Sequence, residues 1–187
     1  SLIYSPLAGN FVRDVLDRGY ELGFIASGDS HDGHPGLPHL SPYYSYRFAT
    51  DTQPAQVGTG GLAAVFTEEL SRKALLSAMR ARATYATSGP RILLDATLAG
   101  VPMGMRSPPL EDDAAITISL HATAPVRALE LIRSGSVVKT FTPQTAAPDL
   151  EHTFTLDELR AGEYVYLRVQ QLNGGLAWSS PWFITAD

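Results

Sequence analysis

Ala115-Ile-Thr-Ile-Ser-Leu-His121 reads as a strand with one buried side. Ile116, Ile118 and Leu120 alternate with Thr117, Ser119 and His121. Successive side chains of a strand point to opposite faces, so one face is apolar and the other polar. Val165, Leu167 and Val169 repeat the pattern against Tyr164, Tyr166 and Arg168. Working outward, strand candidates fall at 92–98, 115–121, 126–133, 136–141, 152–156, 163–171 and 177–185, separated by turn residues. Seven short strands in about 95 residues, each with one polar face, predict an immunoglobulin-like antiparallel β-sandwich over 91–187.

Before Gly89-Pro90 the pattern differs. Asn10 is placed to cap a short helix through Val12, Val15 and Leu16, stopped by Gly19. Leu22–Ser27 and Leu62–Phe66 read as buried strands, being short, apolar and bounded by glycine. A helix from Thr67 or Ser71 to about Arg82 would put Leu70, Ala74, Leu75, Ala78 and Met79 inside and Arg72, Lys73, Arg80 and Arg82 outside. Strand and helix alternate, which predicts an α/β layer over 1–90 and an α+β chain overall. The Gly- and Pro-rich stretch 32–61 carries Tyr43, Tyr44, Tyr46 and Phe48 and reads as a binding loop, or as a loop fastened by its own aromatics.

The chain has 187 residues, 44% of them hydrophobic and 18% charged, enough for a sizeable core. A formal charge of −5 and the lack of a basic patch argue against a nucleic-acid partner. No apolar run reaches the ~20 residues of a membrane span. With no cysteine, disulfides, thiolate metal sites and thiol catalysis are excluded. The start Ser1-Leu2-Ile3 reads as a mature product or an excised piece of something longer, and the composition does not fix a compartment.

Chemistry concentrates in Gly23-Phe-Ile-Ala-Ser-Gly-Asp-Ser-His-Asp-Gly-His-Pro-Gly36. Asp29 and His31, two apart in an extended segment, can face one cavity and offer a hard oxygen and a neutral nitrogen. Zinc, manganese or iron suits that mixture. The plainer alternative makes Asp29 a turn cap and His31 a partner of local backbone. Asp32 and His34 can reach the same cavity as supporting or substrate contacts, or stand solvated in the loop. His39 carries no assignment, and His121 and His152 fit polar strand positions. Ser27 and Ser30 lack a nucleophile elbow, and Gly58-Thr-Gly-Gly61 lacks the Lys-Ser/Thr of a phosphate loop. No catalytic residue is assigned.

The stretch from Tyr20 to Gly36 resembles the last metal-binding segment of PHP-type (polymerase and histidinol phosphatase) metallohydrolases, in the branch with carbaryl hydrolase-like proteins. Gly61–Leu70, Leu76–Ile92 and Leu94–Gly104 resemble the strand, helix, closing loop and start of the β-domain that follow. The resemblance implies the C-terminal fragment of a distorted (β/α)7 barrel in 1–90, binding divalent metal in a longer parent that hydrolyses small-molecule phosphate, carbamate or carboxylate esters. Asp29 and His31 would be metal ligands, with Tyr85 and Arg91 near the pocket or at the domain junction. The family's His-x-His segment is absent, so this chain alone is expected to hold metal weakly or not at all and to be inactive. Unpaired edges of the incomplete barrel offer a route to self-association. The alternative is a non-catalytic β-sandwich that binds carbohydrate, protein or a partner domain, with Trp178, Trp182, Tyr164 and Tyr166 as contacts or as core.

Overall fold

In the computed structural model, which describes residues 7–27 and 60–186, the Ile116 stretch lies at the centre of a small sheet. Its strands are β3 (Leu93–Leu98), β4 (Val101–Pro102), β6 (Ala114–His121) and β9 (Asp149–Leu156), in the order β4-β3-β6-β9 and antiparallel throughout. A larger sheet holds β7 (Val126–Arg133), β8 (Ser136–Phe141) and β10 (Tyr164–Gln171), in the order β8-β7-β10. The other edge of β10 is shared by β11 (Leu176–Ser179) and β12 (Trp182–Ile184). From β11 the sheet continues to β2 (Thr84–Thr87) and β1 (Leu62–Val65), while β12 pairs in parallel with β5 (Arg106–Ser107).

Alternation explains the packing of the two sheets. Ile116, Ile118 and Leu120 of β6 are fully buried, in one cluster with Leu129 and Leu131 of β7 and Val165, Leu167 and Val169 of β10. Each such side chain taken from water contributes about 1.5–3 kcal/mol. The face between the sheets is therefore the core of the described chain. On the opposite face of β10, Tyr164 packs with Leu16 and Phe183, and its hydroxyl donates to the Asp17 carboxylate at 2.7 Å. Burial, reinforced by Asp17, pushes the Tyr164 phenol above its ordinary value.

The expected α+β architecture with a barrel fragment is not found. The described chain is mostly β, with two short helices, α1 (Val12–Leu16) and α2 (Arg72–Arg80). β1 and β2 flank α2, and they are antiparallel neighbours with Leu62 opposite Thr87. A barrel's strand-helix-strand unit returns parallel, so this one cannot belong to a barrel. Chain reversal at Ala81-Arg82 explains the difference. Arg82 takes φ 60, a left-handed turn immediately after the helix, and the chain re-enters alongside β1. Ser71 caps α2 by accepting from the Ala74 amide at 3.1 Å.

Four further expectations change. Leu70 and Met79, expected on the inner side of the second helix, are exposed. Leu22–Ser27 joins no ladder, and Leu22 and Ile25 are exposed rather than buried. Phe11, not Asn10, precedes α1, with its amide donating to Asp14 at 2.7 Å. The stretch 177–185 is two strands, broken at Ser180-Pro181, because proline has no amide for the ladder. The large sheet also spans Gly89-Pro90: β2 pairs with β11, and the Ser88 amide donates to Leu176 at 2.9 Å.

His152 sits where the edges of the two sheets meet. It stacks on Phe141 of β8 at 4.0 Å and meets the Phe154 ring edge-on at 4.5 Å. Burial there lowers its pKa below the ordinary 6.5. The unfolded chain then binds the proton more readily than the folded one. This contribution to stability is complete above pH 6.5 and is lost as the pH falls through the folded value. Thermal midpoints of wild type and His152→Gln between pH 4.5 and 8 should differ in slope below 6.5, with the variant flatter. Parallel curves would show that the imidazole is not shielded.

Candidate functional site

Asp29, His31, Asp32 and His34 lie outside the described residues. Tyr85 is buried in the core between the sheets and donates to the Ile92 carbonyl at 2.9 Å. Arg91 is exposed. Among the described residues there is no group of three or more His, Cys, Asp or Glu that could hold a metal ion.

The four aromatic candidates divide into two pairs. Trp182 is fully buried in the core, where its indole N–H donates to the Val101 carbonyl at 2.8 Å. Tyr164 is covered by α1. Tyr166 and Trp178 are half-buried and line a groove of about 370 Å³ on the outer face of the large sheet. Its wall is the segment 22–26, with Leu22, Phe24 and Ile25 contributing apolar surface. Phe24 meets Tyr166 edge-on at 5.3 Å between ring centres.

Several contacts hold that wall against the sheet. The Phe24 amide donates to Ser180 Oγ at 2.8 Å, and Ser180 Oγ lies 3.1 Å from Thr84 Oγ1, both side chains buried. Ser180 therefore serves the groove from the break between β11 and β12. Glu21, just before the wall, pairs with Arg106 at 3.0 Å and Arg82 at 3.5 Å. Gly23 passes so near Arg82 that a side-chain carbon there would lie 2.9 Å from Arg82 Cβ. Neither Ser180 nor Glu21 carries a sequence signal of this role, since the contacts join residues more than 60 positions apart.

Polar groups continue the floor along β10. Arg168 pairs with Glu130 on β7 at 2.5 Å, and Gln170 donates to the same carboxylate at 2.8 Å. The guanidinium beside Glu130 holds its carboxyl below the usual carboxylate range. Burial pushes the Tyr166 phenol up from its ordinary 10, so it stays protonated near neutral pH. The site is thus an apolar, aromatic-floored groove next to a satisfied ion pair. Such a surface is suited to binding.

The family profile described as "Protein of unknown function (DUF3604)" matches residues 9–126. An uncharacterized protein of Chlamydia pneumoniae is 30% identical over 185 residues, covering 91% of this chain and 28% of its own length. Uncharacterized proteins of Chlamydia trachomatis and Chlamydia muridarum are 31% and 32% identical, each match covering 92% of this chain and 28% of the relative. The chain therefore spans little more than a quarter of the length of these curated relatives. No solved structure matches. These findings correct the resemblance to PHP-type metallohydrolases and the hydrolase, phosphoesterase and metal-binding character it implied. The matching profile is a different one, the relatives carry no hydrolase description, and the fold is antiparallel where a barrel was expected. With its profile match extending over more than half its length, the chain belongs to the DUF3604 family.

Proposed function

We propose that this chain is a non-catalytic interaction module that takes up an apolar polypeptide segment in the groove beside Tyr166 and Trp178. The observation that carries the reading is the half-buried Trp178 facing a cavity of about 370 Å³ walled by apolar residues. Tryptophan and tyrosine supply large contact area at low ordering cost, and they are enriched where binding energy concentrates. The wall also presents backbone that belongs to no ladder. Among the described residues of 22–26, the Phe24 amide is bonded to Ser180, and no ladder occupies the rest. A partner segment can therefore bond main chain while its side chains enter the groove.

Fluorescence tests this directly, because the chain holds two tryptophans and Trp182 is fully buried. A capped peptide alternating valine and threonine should change the emission of Trp178, with a dissociation constant of about 10–100 μM for so small a contact. Trp178→Phe should abolish the change while leaving the thermal midpoint within about 2 °C. A change that persists in Trp178→Phe, or no response to any such peptide, would remove the reading. A response to a soluble oligosaccharide and not to peptide would move the module to carbohydrate binding.

A further inference from the structure

We propose that the outward face of α2, with Leu70 beside it, docks on an apolar, carboxylate-bearing face of the additional polypeptide that the longer family members carry. The inference rests on the interaction-module reading and adds a second contact to it. Leu70 is 90% exposed, and Leu76 and Met79 are 47% and 43% exposed. Leu76 and Met79 are three apart and so adjacent on the helix surface. Arg72, Lys73 and Arg80 stand four before, three before and four after Leu76, ringing it with positive charge. Residues 72–80 contain no Asp or Glu, and among the described residues these three cations enter no ion pair. Several arginines elsewhere are paired, Arg82, Arg106, Arg133 and Arg168 among them.

Distribution of exposed apolar side chains supports a covering partner on this part of the chain. Of the fourteen large apolar residues exposed among the described residues, ten lie between Leu7 and Met79. Scattered exposed leucines are ordinary, but so high a share in the shorter part of the described chain is not. Three cations without an ion pair among the described residues, set around an apolar centre, call for a partner with carboxylates at its rim. A second copy meeting this face about a two-fold axis would set cation against cation. The relatives supply the source of the partner: they match over 91–92% of this chain, yet that is 28% of their own length.

The absence of cysteine makes a labelling test clean. Met79→Cys is labelled with a maleimide in the chain alone, and again in a chimera where this chain replaces the matching segment of the Chlamydia trachomatis relative. Peptide mass spectrometry reads each site, and slow amide exchange in β10 confirms the fold in both proteins. Labelling of Met79→Cys should slow about tenfold or more in the chimera. Val137→Cys, on exposed β8, should keep its rate, and adding Arg72→Glu with Arg80→Glu should restore fast labelling at position 79. Equal rates at position 79 in the two proteins overturn the proposal. So does protection in the chain alone that grows with its concentration, which would make a second copy the partner. Protection that appears when phosphatidylglycerol vesicles are added to the chain alone would make it an anionic membrane. The peptide titration of the groove, run on the same variants, separates the readings. Lost protection at α2 with an intact peptide response fails this inference alone, and the reverse fails the groove alone.

Discussion

Trp182→Ala is expected to destabilise the chain by about 3–5 kcal/mol, the cost of emptying a buried aromatic site. Trp182 is fully buried between the sheets, so its loss leaves a cavity bordered by both of them. The substitution also removes the donor to the Val101 carbonyl, held at 2.8 Å, and strands that acceptor. At this chain length each kcal/mol corresponds to about 2–4 °C, so the thermal midpoint should fall by about 6–20 °C. Trp182→Phe keeps most of the volume and should recover more than half of the loss. A loss below about 1.5 kcal/mol for the alanine variant would mean that the indole does not sit at the centre of the core.

Gly104→Ala should be nearly as costly, about 2–5 kcal/mol, for two separable reasons. Gly104 adopts φ 85, a conformation that a side chain disfavours. An added carbon would also fall inside van der Waals contact of the Arg82 carbonyl oxygen. That neighbour cannot move easily, because Arg82 itself holds φ 60 and its guanidinium donates to the Gly104 carbonyl at 2.8 Å. Gly100→Ala supplies the control: φ is 84 there, but nothing lies within 4 Å of the added carbon. Its cost should be the backbone part alone, about 1–2 kcal/mol. Equal urea midpoints for the two variants would show that the Arg82 contact is loose. A rigid Arg82 turn matters to the site, since Arg82 also pairs with Glu21 at the start of the groove wall.

Both results bear on what could be read before the fold was known. β6 and β10 lie where alternating residues place them, because a strand buried on one side writes that pattern locally. Leu22–Ser27 illustrates the limit. A short apolar run ending at glycine looks the same whether it is a buried central strand or a segment laid against a sheet outside any ladder. Only partners distant in sequence decide, and here they are Ser180 and Tyr166. The antiparallel return of β2 beside β1 was equally hidden, because strand direction depends on the turn at Arg82 and not on the strands' composition.

Sequence by itself determined which residues could enter an apolar core, and it supplied Trp178 and Tyr166 as binding candidates alongside Trp182 and Tyr164. Tertiary structure decided which of the four face the groove. Trp178 and Trp182 are four apart and would share a face on one continuous strand, but the break at Ser180-Pro181 turns the second into the core. Tyr164 and Tyr166 do share a face, yet α1 covers the first and leaves the second half open. Side-chain direction is local and periodic, whereas coverage depends on which distant segment packs above, and no periodicity in the chain encodes that.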